Sequence, residues 1–268
     1  MNSNVTTTQR QLNRTCGIVS LIAFSLSFSV FVFIAGCNGR TAQEHFEAGV
    51  DAFRAGDTLG AERSFQRAVR ADPAHADAHY NLGICLSNPK DRAKAIGHFR
   101  RAVELRPSKL EAHVALAQSL QRADSAEAGI NALKRALLIF PENPGLYFNL
   151  GYIYFHRAQG DSAIWAYRRS LEADPKNADA WYNLAYSMTG PERRRESIAC
   201  LRKAVALDPG KLEAHYLLGM RLLDEPSRTR KETGEALASI RMYVEAGLAD
   251  QVKMQRIEEK LARAGVKL

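Results

Sequence analysis

The sequence predicts an all-α fold in which pairs of helices repeat along most of the chain. Five prolines lie 34 residues apart, and a fixed period of this length indicates stacked copies of one helical unit: Pro73, Pro107, Pro141, Pro175 and Pro209. Alanine and arginine are plentiful and β-branched residues are few, which favours helix over strand. With 46% hydrophobic and 25% charged residues, the composition is typical of a folded domain.

The first forty residues are typical of an export signal and carry no part of the repeat. Residues 1–15 contain Arg10 and Arg14 and no acidic residue, and residues 17–35 are uncharged and mostly apolar. A basic stretch followed by an apolar one is the layout of a secretory signal. The apolar stretch of 19 residues is also just long enough to span a bilayer, so a membrane helix stays open as an alternative.

Residues 34–37, Ile-Ala-Gly-Cys, resemble the lipobox of bacterial lipoproteins. The resemblance implies a signal peptide over residues 1–36, acylation of Cys37 and a short lipidated tether over residues 37–41. It also implies a place in the bacterial cell envelope, where Asn38 after the cysteine favours the periplasmic face of the outer membrane. The alternative is an uncleaved, single-pass membrane anchor in which Cys37 has no role.

The units can be aligned on the five prolines, and matching places then carry matching residues. The eighth place of every unit is glycine or alanine, which lets the two helices of a hairpin approach closely. Further along, a small residue and a large one recur four residues apart, which puts both on one helical face. Two helices cannot bury such faces alone, so neighbouring units must stack. The six units span residues 42–75, 76–109, 110–143, 144–177, 178–211 and 212–248.

The residues at these places resemble the tetratricopeptide repeat consensus. Residues 181–185 (Trp-Tyr-Asn-Leu-Ala) and the pair Asp208-Pro209 are close to that consensus, and the likeness covers residues 42–248. The resemblance implies a right-handed α-solenoid of about six helix-turn-helix repeats. It also implies a concave groove, lined by the first helix of every unit, that binds other proteins.

The sixth unit and the C-terminal segment depart from the period. Residues 224–234 form a longer, charged turn, after which the small and large residues resume about five residues late. Residues 249–268 predict one further helix that caps the solenoid. Asp250 suits its N-cap and Gly265 follows its end, and three apolar residues share one face: Met254, Ile257 and Leu261.

Aromatic residues are concentrated at the places that line the groove in this family, above all in units four and five. Rings bury a large area with little loss of rotamer freedom. The resemblance therefore implies a partner-binding surface made of Tyr80, Phe148, Tyr152, Phe155, Tyr182, Tyr186 and Tyr216, with Met220 at the ninth place of unit six. The alternative is that some of these rings fill gaps between helices. Phe46 and Val50 occupy the lysine and asparagine places of relatives that grip chaperone C-termini, so that clamp is absent.

Two regular sets of side chains have structural explanations. His45, His79, His113 and His215 all occupy the fourth place, where unit five has Trp181. Adjacent units are too far apart for these imidazoles to share one metal, so we expect them to stand in for tryptophan. A ladder of basic residues on the second helices is either a solvated face or a surface for anionic lipid or nucleic acid: Arg67, Arg100, Arg101, Lys134, Arg135, Arg168, Arg169, Arg202 and Lys203.

The functional expectation is a non-catalytic scaffold. The chain contains no nucleophile elbow, phosphate-binding loop, dinucleotide glycine fingerprint or paired metal-ligand motif. Cys85 and Cys200 lie three units apart, beyond disulfide reach, and are expected to be small core residues. We therefore expect no cofactor, metal, nucleic acid or small-molecule substrate, but protein partners for assembly of an envelope complex and a membrane contact through the lipid. The alternative is a signal-anchored protein that docks on the bilayer or serves as a regulatory subunit.

Overall fold

The computed structural model describes residues 41–268 as thirteen helices with no strand. The predicted signal peptide over residues 1–36 and the predicted lipid-attachment residue Cys37 lie outside this range, as does most of the tether over residues 37–41. None of the thirteen helices is long and apolar enough to cross a membrane.

The helices alternate as the first and second members of six hairpins, which confirms the predicted all-α repeat fold. The first helices are α1 (Ala42–Arg54), α3 (Ala76–Cys85), α5 (Leu110–Arg122), α7 (Pro144–His156), α9 (Ala178–Ser187) and α11 (Leu212–Leu223). The second helices are α2 (Thr58–Ala71), α4 (Arg92–Leu105), α6 (Ala126–Ile139), α8 (Gly160–Ala173), α10 (Arg194–Leu207) and α12 (Arg230–Glu245). The last helix, α13 (Gln251–Ala264), follows the sixth hairpin.

Each second helix, from α2 to α10, packs against the first helix of its own unit and against the first helix of the next unit. Buried alanine, leucine and aromatic side chains make these contacts, so the core is a strip that continues from unit to unit. In units one, two and four the eighth-place glycine lies against a buried ring, and an added Cβ would come within 2.9 Å of that ring. The close approach explains why the period requires a small residue there.

A ring at the fourth place ties several of the first helices to the turn before them. The indole Nε1–H of Trp181 donates to the carbonyl oxygen of Pro175 at 2.9 Å. Three histidines place their Nε2 atoms at hydrogen-bonding distance from the proline carbonyl six residues earlier: His79 at 3.2 Å, His113 at 2.8 Å and His215 at 3.1 Å. These three histidines therefore replace the tryptophan in this contact, as predicted, whereas the matching carbonyl for His45, at residue 39, lies outside the described residues.

Two of the first helices are shorter than the others. α3 and α9 have 10 residues each, whereas α1 has 13 and α11 has 12. Each is followed by a proline at the fourteenth place of its unit, Pro89 or Pro191, and the residue before a proline disfavours helical geometry. The second helices α4 and α10 still begin in register, because a longer turn fills the place of the missing helical residues.

The sixth hairpin shows the late pairing that its longer turn predicts. An added Cβ on Gly219 would lie 2.5 Å from Cγ1 of Ile240, a partner about five residues further along the chain than in the other units. α12 begins with a capping box, in which Thr229 and Glu232 each accept a hydrogen bond from the other's backbone N–H. This cap starts α12 at Arg230, so the charged turn ends at Thr229 and is shorter than the predicted 224–234.

Helix α13 covers the end of the core. Asp250 caps it by accepting a hydrogen bond from the backbone N–H of Lys253 at 2.8 Å, and Gly265 ends it in a left-handed conformation with φ 70°. Ile257 and Leu261 are buried in the same core cluster as residues of α11 and α12. The described chain therefore closes its last unit with a helix of mixed apolar and charged faces.

Candidate partner-binding groove

The neighbouring first helices α7 and α9 present a group of aromatic side chains. Tyr152, Phe155 and His156 lie on one face of α7, since residues three and four apart are neighbours on a helix. Tyr182 and Tyr186 share one face of α9 in the same way. We call these five side chains the aromatic cluster.

The rings of the aromatic cluster contact one another across two units. Tyr152 and His156 have centroids 4.3 Å apart, and Phe155 meets Tyr186 edge to face at 5.3 Å. Tyr182 lies 5.9 Å from Tyr186. Such pairs contribute about 0.5–1.5 kcal/mol each beyond the area they bury, so the cluster is a defined surface rather than a set of independent side chains.

The side chains of the aromatic cluster differ in how far they are exposed to solvent. Tyr152 is 41% exposed and Tyr186 is 46% exposed, whereas Phe155 and Tyr182 are half-buried and pack against the core. Aromatic residues with one exposed edge over an apolar floor are typical of recognition surfaces. This arrangement can accept an apolar side chain between two hydroxyl-bearing rings.

The phenol of Tyr182 stays neutral under all physiological conditions. Burial, and then the neighbouring Tyr186, raise the pKa of Tyr182 to about 12. The ammonium group of Lys211 lies 5.3 Å from the centre of its ring and also forms an ion pair with Asp179. Tyr182 therefore offers a hydroxyl group for hydrogen bonding and a ring face already partly covered by a cation.

The other predicted groove residues lie outside the aromatic cluster. Phe148 packs against Tyr167 at 5.7 Å, and Tyr216 packs against Tyr243 at 4.8 Å, so both are half-buried between helices of their own units. Tyr80 lies in unit two, with the ammonium group of Lys109 4.7 Å from its ring centre. The structure thus brings together four of the seven predicted residues and adds His156.

Met220 corrects the expectation that every ninth place faces the groove. Its side chain is only 5% exposed and belongs to the core cluster that also contains Ile257 and Leu261 of α13. The capping helix packs against α11 and so covers the face that is open in units four and five. The aromatic surface therefore does not continue through unit six.

The basic ladder on the second helices is partly neutralised. Two of its arginines pair with glutamates of the next unit, Arg168 with Glu196 and Arg202 with Glu235, and Arg101 and Arg169 pair within their own helices. Exposed pairs of this kind contribute about 0–1 kcal/mol each. They lower the local charge density and agree with a solvated face over the C-terminal half.

The thiols and histidines provide no reactive or metal-binding centre in the part of the chain that the structure describes. Cys200 is buried, as predicted, and Cys85 is half-buried rather than a full core residue. Burial raises the pKa of both thiols to about 11, so they stay protonated at neutral pH. Within residues 41–268 no three histidine, cysteine or acidic side chains converge as metal ligands do.

Two arginines lie at the unit-six end of the aromatic cluster and could not be predicted from the sequence. Arg221 of α11 donates from Nη2 to the carbonyl oxygen of Met188, two residues after Tyr186. Arg194 of α10 is close enough to influence the pKa of Arg221. No motif marks either residue, because their proximity arises only when α9, α10 and α11 pack together.

Comparison with known families agrees with the hairpin geometry. A family model described as tetratricopeptide repeat matches residues 46–110 and 114–176. A second model of the same description matches residues 166–192. No curated protein matches the chain.

Solved structures show the same fold. A crystal structure of MamA is 24% identical, with a TM-score of 0.57, and covers 64% of this chain and 94% of that one. MamA from Desulfovibrio magneticus RS-1 is 20% identical, with a TM-score of 0.57 and coverage of 65% and 98%. YrrB, titled a TPR protein with an unusual peptide-binding site, is 17% identical, with a TM-score of 0.56 and coverage of 73% and 97%.

Proposed function

Since the chain belongs to the tetratricopeptide repeat family, whose fold is a protein–protein interaction scaffold, we propose that it binds a segment of a partner protein in its concave groove. The segment contacts the aromatic cluster on α7 and α9. The chain itself is non-catalytic in this proposal. It holds its partner at an envelope membrane for the assembly of a larger complex.

The exposed edges of Tyr152 and Tyr186 are the observation on which the proposal depends. They belong to two different units, and Tyr186 packs edge to face on the half-buried Phe155. Tyrosine supplies a large contact area with only two rotatable side-chain bonds, so ordering it on binding costs little entropy. A partner segment laid across α7 and α9 would bury both rings and provide partners for their hydroxyl groups.

Attachment of lipid to Cys37 is the second part of the proposal. It is supported by the lipobox-like residues 34–37 at the end of an apolar stretch. Helix α1 begins at Ala42, so only the four residues 38–41 separate Cys37 from the array. A lipoprotein carries two or more acyl chains, which anchor stably where one does not, and the groove would stay close to the bilayer.

Docking on the bilayer is a second candidate function, and a groove of about 630 Å³ between α4 and α6 favours it. Arg100, Lys134 and Arg135 line this groove and form no ion pair within residues 41–268. Leu138 beside them is 85% exposed. Basic residues near an anionic lipid surface contribute about 1 kcal/mol each. Binding of the full chain to vesicles containing phosphatidylglycerol, weakened by Lys134→Glu, would support this candidate.

A site-specific photo-crosslink tests the groove. A photoreactive phenylalanine analogue replaces Tyr152 in living cells of the source organism, and the adducts are identified by mass spectrometry. We expect one dominant envelope protein whose capture is lost when Tyr182→Ala is added. The same analogue at Leu59, which is exposed on α2, is the matched control. Equal capture of the same protein from both positions, or no protein adduct from Tyr152, contradicts the proposed groove.

The Cys37→Ser variant tests the anchor independently. Cells are fed an alkyne-tagged fatty acid, and the protein is examined for label and for the size change of signal removal. We expect the wild-type chain to be labelled and shortened and the variant to be neither. Identical size and labelling of the two proteins would support the single-pass anchor instead.

A further inference from the structure

Two arginine side chains beside the aromatic cluster hold buried N–H groups that have no acceptor. These are the Nε–H groups of Arg194, at the start of α10, and Arg221, near the end of α11; neither meets an acceptor within residues 41–268. Leaving a buried donor unpaired costs about 1–3 kcal/mol. Two such donors close to each other indicate an acceptor that comes from outside the chain.

The surroundings of Arg221 are strongly cationic. Burial lowers the pKa of Arg221; Asp224 opposes this effect, and the charges of Arg194 and Arg256 add to it. Guanidinium groups keep their proton at neutral pH. The charges of Arg194 on α10 and Arg256 on α13 therefore both act on the half-buried Arg221 of α11.

The nearby acidic side chains are engaged elsewhere. Asp224 forms an ion pair with Lys260 of α13. Glu225 accepts a hydrogen bond from the Ser227 hydroxyl at 2.7 Å and lies 3.4 Å from Nε of Arg195. The hydrogen bond from Ser227 lowers the pKa of Glu225 and the charge of Arg194 adds to this effect, but neither carboxylate accepts a hydrogen bond from the two buried Nε–H groups.

The cationic pair lies at one end of the aromatic cluster. Arg221 holds the carbonyl oxygen of Met188, the residue directly after α9. The phenol of Tyr186, one of the two exposed rings, is close enough to influence the pKa of Arg221. A chain segment that covers Tyr152 and Tyr186 and ends near Met188, before the face that α13 covers, would therefore lie beside Arg221.

We infer that Arg194 and Arg221 form an anion subsite that takes a carboxylate of the partner segment, adjacent to an apolar residue held by the aromatic cluster. This inference rests on the proposed function, and it adds the chemistry of the partner: an acidic segment. A carboxylate has two acceptor oxygens, which suits paired N–H donors of guanidinium groups. The subsite is distinct from the chaperone clamp, whose places hold Phe46 and Val50 in this chain.

Selection from a displayed peptide library tests the inference. The full chain, purified in detergent, selects from random peptides with free C-termini, and the same is done with four variants: Arg194→Gln, Arg221→Gln, Tyr186→Ala and Lys90→Gln. Lys90→Gln is the control for loss of one positive charge, since Lys90 is exposed in the turn between α3 and α4, away from the cluster. Circular dichroism melting establishes that each variant is folded.

We expect the wild-type chain and Lys90→Gln to select peptides rich in Asp, Glu or a C-terminal carboxylate next to an apolar residue. Arg194→Gln and Arg221→Gln should lose the acidic preference and bind the best acidic peptide at least about tenfold more weakly, a loss of about 1.4 kcal/mol, because the peptide carboxylate loses a charged partner. If Arg221→Gln misfolds because its bond to Met188 is lost, Arg194→Gln decides alone.

Two outcomes overturn the inference, and they can be told apart from failure of the proposed groove. An unchanged acidic preference in the arginine variants, or a wild-type selection without acidic residues, overturns the anion subsite and leaves the groove standing, provided that Tyr186→Ala abolishes binding. Selection that survives Tyr186→Ala, or no selected peptide at all, overturns the groove and the subsite with it.

Discussion

Gly83 lies directly against the ring of Phe99, so that a methyl group added to its Cα would come 2.6 Å from Cε1 of the ring. Phe99 is 1% exposed, so its ring is enclosed by the core. The same pairing recurs between Gly49 and Phe65, also at 2.6 Å. In units one and two, the two helices of the hairpin therefore meet where the backbone of a glycine contacts an aromatic ring.

Gly83→Ala should therefore destabilise the protein. Forcing an extra carbon into a packed core costs about 1–3 kcal/mol, and here the first helix would have to move away from the second. Gly97→Ala is the matched control, because Gly97 lies in the middle of α4 with no atom within 4 Å of an added Cβ. It should stabilise the protein by about 0.5–1 kcal/mol, since alanine favours helix. Denaturant unfolding of both variants checks the opposite signs.

Ala158→Gly should stabilise the protein by about 1 kcal/mol. Ala158 lies between α7 and α8 with φ 55°, a left-handed conformation that is unfavourable for alanine. Gly56 holds the matching place in unit one with φ 81°. Ala199→Gly, at an exposed position inside α10, should lower stability by a similar amount. If both glycine variants lower the melting temperature, the turn is not strained.

Much of this fold could be predicted from the sequence because each hairpin depends on a few local constraints. A proline follows the second helix in five of the six units, and a small residue stands at the eighth place of all six, so both recur at a fixed period that can be counted in the sequence. The short α3 and α9 could also have been found, since Pro89 and Pro191 share the fourteenth place. The shortening of these two helices does not alter the period of 34 residues, so the spacing of the repeats does not reveal it.

His113→Phe should cost about 1–3 kcal/mol. The change leaves the carbonyl oxygen of Pro107, which receives the 2.8 Å hydrogen bond, without its partner in a buried site. His113→Trp should be close to wild type, because Trp181 makes the equivalent bond with its indole N–H. Thermal unfolding compares the two variants. Equal losses from both would mean that ring shape, rather than the hydrogen bond, decides stability at this place.

Acid should loosen unit two before the rest of the array. His79 and His98 place their Nδ1 atoms 3.0 Å apart, so only one of the two can carry a proton there. Burial lowers the pKa of each below its ordinary value, and in His98 the charge of His79 adds to the effect. Below about pH 6.5 the unfolded chain therefore binds more protons than the folded one. The free energy of unfolding keeps its full value above about pH 6.5 and decreases as the pH falls below it.

Amide hydrogen exchange resolves this effect by unit. Protection factors in α3 and α4 should fall between pH 7 and pH 5 relative to those in α10, which serves as the internal reference. His98→Gln should reduce the slope, because it removes one of the two titrating rings. The same decline of protection in α4 and α10 would assign the pH dependence to the whole array instead.

The candidate site was predictable only in part. The positions of Tyr152 and Tyr186 follow from the period, but their exposure depends on what packs over each first helix. Met220 has the same place in its unit and is buried, because α13 lies over α11. Arg194 and Arg221 are 27 positions apart and come together only through the stacking of three helices. The exposure of a side chain and its proximity to residues of other units depend on how the units pack, so the repeat pattern within one unit does not predict them.

The shortened helices α3 and α9 have a consequence for the origin of the chain. Pro89 and Pro191 are 102 residues apart, and the sequence Leu-Glu-Ala-His recurs at the same distance, at residues 110–113 and 212–215. A period of three units therefore overlies the period of one, as tandem duplication of a three-unit block leaves behind. The blocks differ at the ninth places, where the first has Val50, Ile84 and Gln118 and the second has Tyr152, Tyr186 and Met220. The aromatic cluster is thus found in the second copy alone. A homologue that lacks this second block would be expected to keep the fold but not the aromatic cluster.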